Sequence, residues 1–429
     1  MLTLTPSYRW KFAVLLIVFA SSLFACNMLS AAEPAEKTWP QFLGPNRNGI
    51  STETNLLNTY GPNGPKVVWR VPGGIGMSGF AVDTKQAITL LERNEKQTVV
   101  AFNITNGKEL WSLPVAEGYG NGQGPGPRAT PTLAGGSVFV YTGEGILVAI
   151  DANTGKKQWQ HDVVSELNGK VAEYGMASSP LVTDGLVIIT AGAPGATVVA
   201  YQADSGKLAW KSGEDASGYS SPTILTVGGM RQLVVLTGSA VSGLKPTTGE
   251  LLWKYDFKTN FECNIATPIA INDQVFISAG ENHGSALLAL KKDGTNFQVS
   301  EVWASFGATS VFRNEWQTSI LLDGYLYGMD NVGGAGPITH LACLNAKTGQ
   351  RAWQQAKFGK GNFVYADGKL YIITMRGELV IVRAKPEKFE ELARAKVLGT
   401  TRQAPALLNG KLYLRDDNEI VCVDISAAK

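Results

Sequence analysis

One nine-residue phrase recurs in this chain and restricts what it can fold into. Asp151–Trp159 reads DANTGKKQW, and Asn103–Trp111 (NITNGKELW), Gln202–Trp210 (QADSGKLAW), Lys245–Trp253 (KPTTGELLW) and Asn345–Trp353 (NAKTGQRAW) share its frame. Each copy places a Gly four residues before a Trp and follows alternating apolar residues, such as LVAI before Asp151. The pattern predicts a strand, a tight turn whose Gly takes positive φ, and a second strand carrying the Trp. Looser copies end at Trp69 and Trp303, so seven of the ten tryptophans hold one repeat position. Self-similarity of this kind decides the fold before any other consideration.

Ser178–Trp210 shows the whole unit. A short strand follows Pro180, Asp184-Gly185 turns the chain, LVIITA and TVVAYQ form two more strands, and KLAWK is the fourth. The Asp-Gly turn returns as Gly135-Gly136, Asn272-Asp273, Asp323-Gly324, Asp367-Gly368 and Asn409-Gly410, each between apolar runs. Eight units follow: Ser78–Trp111, Ala129–Trp159, Ser178–Trp210, Ser220–Trp253, Ala266–Trp303, Thr318–Trp353, Gly361–Val397 and Gln403–Ile425. The seventh has lost its Trp to a charged stretch, KPEKFEELARAKV. The eighth stops at Val421–Asp424, one strand short, while the first unit is preceded by a spare Trp strand, Val67–Val71. A solenoid would leave that coincidence unexplained. The expected fold is therefore all-β, an eight-bladed propeller of four-stranded antiparallel blades closed by the N-terminal strand completing the last blade, which removes open sheet edges. Trp69, Trp111, Trp159, Trp210, Trp253, Trp303 and Trp353 are expected as structural residues between blades, each burying ~150–250 Å².

Outside the repeats the chain reads as an export signal over 1–32, an arm over 33–65 and the propeller over 66–429. Arg9 and Lys11 precede the apolar run Phe12–Ala25, and Ser30-Ala31-Ala32 supplies small residues for cleavage. Leu23-Phe24-Ala25-Cys26 resembles a lipoprotein box, which makes a lipid anchor at Cys26 the one membrane link expected; otherwise the product is secreted or periplasmic. Without those first residues Lys+Arg and Asp+Glu balance at 36 each, which gives no basis for a nucleic-acid partner. Cys263, Cys343 and Cys422 form no CxxC or adjacent pair. Cys343 and Cys422 share a position held elsewhere by Ala101, Ala149, Ala200, Gly243 and Ala289, so they read as small core residues. In the arm, WPQFLGPNRNGIS (Trp39–Ser51) is expected to lay Trp39 and Phe42 against the body.

The TG-[KEQ]-x-x-W hairpin resembles the tryptophan-docking repeat of the quinoprotein-like, or PQQ-repeat, propellers, and the resemblance spans nearly all of 66–426. It implies two functional branches on one fold. One is the BamB type, a non-enzymatic outer-membrane assembly scaffold; the other is the PQQ-dependent alcohol and sugar dehydrogenases, which hold PQQ with Ca²⁺ on the axis. The adjacent-cysteine disulfide and the haem attachment of that second branch have no counterpart here. Oxygen ligands for Ca²⁺ would have to come from Glu173, Asn264, Glu315 and Asp330, expected in loops on one face. His161, His283 and His340 sit in unrelated units without ligand spacing, and no P-loop or nucleophile elbow occurs.

Aligned on their first turns, the units share a Ser/Thr-Pro step or a stand-in, such as Thr130-Pro131, Ser179-Pro180, Ser221-Pro222, Thr267-Pro268 and Ala404-Pro405. The first strand of a blade is innermost, so the residue three before this Pro should rim the channel: Gly76, Arg128, Ala177, Tyr219, Ile265, Trp316, Lys360, Arg402. Arg128, Tyr219, Trp316, Lys360 and Arg402 are the candidate site for a small anionic ligand or a protein partner, Trp316 stacking and the cations pairing with carboxylates. The expected function is a non-catalytic exported binding scaffold with no cofactor and no assigned catalytic residue. The alternative is a PQQ-dependent dehydrogenase.

Overall fold

Seven blades are built outward from the axis in chain order, and the eighth takes its outermost strand from the start of the propeller. The structure, a computed structural model, describes residues 38–427 except 62 and 335–337; the expected export signal and Cys26 lie outside the described residues. Blade 1 spans Ala81–Glu117, blade 2 Thr132–Asp162, blade 3 Leu181–Ser212 and blade 4 Thr223–Asp256. Blade 5 spans Ile269–Phe306, blade 6 Ile320–Gln355 and blade 7 Gly361–Lys396. Blade 8 has Ala406–Leu408, Lys411–Arg415 and Glu419–Asp424, and its fourth strand is Lys66–Pro72. That strand pairs antiparallel with Glu419–Asp424, from Lys66↔Asp424 to Pro72↔Glu419. The expected ring closure is thus present. Asp184/Gly185, Asp367/Gly368 and Asn409/Gly410 all have positive φ at both positions, as two-residue hairpin turns require.

The repeat Trp and the repeat Gly meet across blades. An added Cβ on Gly155 would lie 2.7 Å from the Trp111 ring, on Gly206 2.8 Å from Trp159, and on Gly249 2.4 Å from Trp210. The same indoles donate Nε1–H to the next blade's turn: Trp111 to Ala152 O (3.0 Å), Trp159 to Ala203 O (3.1 Å) and Trp210 to Pro246 O (3.2 Å). Trp69 donates likewise to Ile104 O (2.9 Å), so blade 8 closes on blade 1 by the ordinary contact. A bulge shifts the register of the outer strand just before each Trp, for example between Ala149/Ile150 opposite Trp159/Lys157. Such bulges increase the local twist and re-aim the following side chain.

The small-residue column has the same cause. Ala101, Ala149, Ala200, Gly243, Cys343 and Cys422 lie directly across from Trp111, Trp159, Trp210, Trp253, Trp353 and Trp69. Blade 5 departs from this: Leu287, not Ala289, faces Trp303, because its outer hairpin is longer and turns at Gly294. Blade 7 inverts it, with the larger residue, Ile381, on the third strand opposite Ala393 at the lost Trp's place. There the arm packs Leu57 and Tyr60 against the core. Trp253 has no turn Gly to meet in blade 5, so its Nε1–H goes to Gln232 Oε1 of its own blade (2.6 Å).

The arm is more deeply embedded than expected. Trp39 and Leu56 are 2% and 3% exposed, and Arg47 is 5% exposed. Trp39 pairs with Val82 of blade 1, Pro40 O accepts from Leu133 N of blade 2 (2.7 Å), and Gly49 and Ser51 bond Tyr365 of blade 7. Between these, Arg47 donates to Ser179 O (2.8 Å) and Pro180 O (2.9 Å) of blade 3. Residues 39–51 therefore cross the channel from one side of the ring to the other.

Candidate functional site

The mouth of the ring is set by where the inner strands begin. A cavity of about 380 Å³ opens there, lined by seven of the eight expected rim residues; Met77 takes the place of Gly76. Arg128, Tyr219, Trp316, Lys360 and Arg402 all reach it. The lining also includes the small residues that precede inner-strand prolines, Thr130, Ser179, Ser221 and Ala404. Their hydroxyls also join blades: Thr130 Oγ1 accepts from Gly79 N (3.1 Å), Ser179 Oγ from Thr130 N (2.9 Å) and Ser221 Oγ from Ser179 N (2.9 Å). Crowding alone thus does not explain the Ser/Thr-Pro step; it also satisfies inner-strand amides that lack a sheet partner. Phe42 of the arm lines the cavity, which is a blind pocket with the arm behind it.

The cations are more engaged than the sequence suggested. Lys360 Nζ pairs with Glu315 at 2.8 Å, the two side chains being 17% and 7% exposed. Glu315, expected to be a solvated loop acid, also accepts from Asn331 Nδ2 (2.8 Å). Its pKa is raised, first by burial and next to Glu281, against the lowering effects of Lys360 and Arg402. Trp316 carries Lys360 Nζ 4.2 Å and the Arg402 guanidinium 5.1 Å from its ring centroid, so it holds the cations in place. Arg128 donates to Tyr174 O (2.9 Å), Gly124 O (2.7 Å) and Gly126 O, and its guanidinium lies 4.8 Å from the Tyr119 ring. Tyr219 Oη accepts from Tyr174 N (3.2 Å), and the two rings lie 5.8 Å apart.

Sequence reasoning missed Phe42, Tyr174, Cys263 and Glu281 in the lining. It also missed the small hairpin of Gly120–Asn121 and Gly124–Pro125, whose Gln123 reaches the cavity. The Gly-rich run GYGNGQGPG before Arg128 was its only signal. Burial pushes the Cys263 thiol up to about 12, so it stays protonated near neutrality and is a poor nucleophile.

The calcium candidates do not converge. Asp330 is in the strand Tyr325–Val332 and not in a loop, because that strand runs further than the repeat predicts. It is fully buried and held by Arg313 (2.9 and 3.1 Å) and Arg351 (3.0 Å). Asn264 is buried, and its amide donates to Thr237 O (2.7 Å) and Phe257 O (2.8 Å). Glu173 is exposed and does not line the cavity. With Asp330 and Glu315 paired to side-chain cations, the four expected ligands do not supply the free, converging carboxylate oxygens that a Ca²⁺–quinone centre needs. His161 lies between Glu166 (2.9 Å) and Gly206 O (2.8 Å), His283 packs edge-on at 4.4 Å from Phe257, and His340 accepts from Lys357 N (2.9 Å). None of them lines the cavity.

Outer membrane protein assembly factor BamB of Yersinia pestis is 22% identical over 313 residues, which cover 72% of this chain and 76% of that protein. The crystal structure of BamB from Moraxella catarrhalis superposes with a TM-score of 0.57 at 15% identity, covering 85% of this chain and 98% of that one. Quinohemoprotein alcohol dehydrogenase from Comamonas testosteroni gives 0.69 at 14% identity, covering 92% and 81%. The two structural likenesses establish the shared propeller. A family model described as outer membrane protein assembly factor BamB matches residues 95–331 and 338–429, and the chain therefore belongs to this PQQ-repeat β-propeller family.

Proposed function

We propose that this protein is an exported, non-catalytic binding propeller, a scaffold of the BamB kind, that engages a ligand or protein partner at its axial cavity. The observation carrying this reading is that the buried carboxylates among the expected metal ligands are already paired: Asp330 with Arg313 and Arg351, and Glu315, which lines the cavity, with Lys360. A metal-quinone site would have to break these buried ion pairs, and breaking one by removing a partner costs about 3–5 kcal/mol. Cys263 is held protonated and none of the three histidines lines the cavity, which supports a binding role over thiol or imidazole chemistry there. Export is supported by the apolar N-terminal run and by the outer-membrane relatives.

The dehydrogenase reading draws on the planar Trp316 and its flanking cations, which would suit a quinone carboxylate. Reconstitution separates the two. Purified protein incubated with PQQ and Ca²⁺ should bind no stoichiometric chromophore and reduce no dye with alcohols or sugars. A bound quinone with turnover would overturn the scaffold reading.

A further inference from the structure

Two guanidinium groups face the cavity without a carboxylate. Arg128 and Arg402 both line it, and neither forms an ion pair among the described residues. Arg128 Nε donates to Tyr174 O, and the other bonded donors of the pair go to main-chain carbonyls of one small hairpin and the residue after it. Arg402 Nη1 donates to Gln123 O (2.5 Å), while Arg128 donates to Gly124 O (2.7 Å) and Gly126 O. Glu92, a neighbouring carboxylate, accepts instead from Tyr119 N (2.8 Å). Arg128 has its pKa lowered, first by burial and also by the adjacent Arg402. Two like charges brought together, bonded to peptide carbonyls and laid over the Tyr119 and Trp316 rings with no ion pair, are a poorer solution than the same pair closed by an anion.

We propose that Arg128 and Arg402 form a carboxylate-binding site in which carbonyls of the Gly120–Pro125 hairpin stand where the ligand's oxygens would bind. The proposal rests on the binding-propeller reading and names the ligand class of that cavity. A planar carboxylate matches the guanidinium fork, and it would take the Nη1–Nη2 end of Arg402, where Gln123 O now accepts from Nη1. Phe42, Ile265 and the Tyr174–Tyr219 pair supply an apolar wall, so the ligand is an organic acid with an aromatic or unsaturated body. Lys360 is committed to Glu315 and is not needed for it. A hairpin of this composition is suited to yielding: GNGQGP has three glycines, and Gly120 and Gly122 have no atom within 4 Å of an added Cβ. Binding then exchanges Gln123 O for a ligand oxygen on Arg402 and frees the hairpin.

The probes are 2-naphthoate and its neutral amide, measured by calorimetry on the full chain, with hydrogen exchange followed over 119–126. The parent should bind naphthoate at least tenfold more tightly than the amide, and naphthoate should speed exchange in the hairpin. Arg402→Ala should lose at least tenfold in naphthoate affinity and show fast hairpin exchange without ligand, while exchange in the blade strands stays as in the parent. Arg402→Lys should recover only part of the affinity. Equal affinity for acid and amide, unchanged affinity in Arg402→Ala, or a hairpin protected by ligand would each overturn the site. None of these outcomes touches the non-catalytic reading, which stands or falls on the quinone reconstitution.

Discussion

Lys360 shows what a single residue can conceal in a sequence. Its place in the rim column is legible from the Pro-counted frame, but its partner is not, because Glu315 precedes a different blade and meets it only through the ring. Removing the lysine leaves a buried carboxylate beside Glu281, with Asn331 as donor and Arg402 as the other nearby cation. Lys360→Ala should therefore lose about 3 kcal/mol at pH 7 by denaturant unfolding. The sign with pH follows from the raised Glu315 pKa. An acid whose folded pKa lies above its unfolded value favours the fold below the ordinary carboxylate range and loses that contribution as pH rises through the raised value. The deficit of Lys360→Ala relative to the parent should thus shrink toward pH 4, and adding Glu315→Gln should remove most of it at pH 7. A deficit independent of pH would mean that the lysine acts through packing on Trp316.

At the level of the element, the hairpin phrase specifies a contact that it does not itself contain. Within one blade the Gly turns the chain and the Trp faces a small residue; across the blade boundary that Gly receives the neighbour's indole. Trp210 is 9% exposed, and Trp210→Ala should cost about 3–5 kcal/mol in unfolding free energy, the range for large aromatic deletions from cores. Gly249→Ala adds a Cβ 2.4 Å from the same ring at φ +71°, so it should be destabilising alone and much less so once Trp210 is Ala. A double-mutant cycle by urea unfolding checks this, and additive losses would exclude the interlock. The bulge before the Trp was not legible, since a bulge leaves no mark in a pattern of alternating apolar residues.

For the whole molecule, closure is the decisive property. Eight sheets of four strands enclose the axis only because Lys66–Pro72 supplies the fourth strand of blade 8 and Trp69 then reaches blade 1. Truncation through Val71 should expose the Glu419–Asp424 edge and give aggregation or a collapse in melting temperature. Truncation at Pro65, sparing that strand, should also destabilise, because it removes Trp39, Arg47 and Leu56 from the interior. It should in addition open the cavity floor where Phe42 sits. Melting by calorimetry and circular dichroism orders the three proteins as parent, arm deletion, strand deletion; equal melting of all three would contradict the ring.

The local code of this chain was enough to determine blade number, strand order, ring closure and the column of residues at the channel mouth. All of these follow from short-range periodicity, turn chemistry and a count of repeats. Arg128, Tyr219 and Arg402 could be named because each stands three residues before the Pro that starts an inner strand, and Trp316 and Lys360 because the aligned turns put Ser319 and Phe363 in that Pro's place. Only the tertiary structure decided which charges remain available. Asp330 is closed off by Arg313 and Arg351, Lys360 by Glu315, and Arg128 by a hairpin. Partnerships of this kind join residues far apart in sequence, and their energies depend on burial and distance, which no one-dimensional pattern carries. The arm shows the same division: WPQFLGPNRNGIS marks itself by composition, but its path across the axis is set by carbonyls on blades 2, 3 and 7 that become neighbours only when the ring closes.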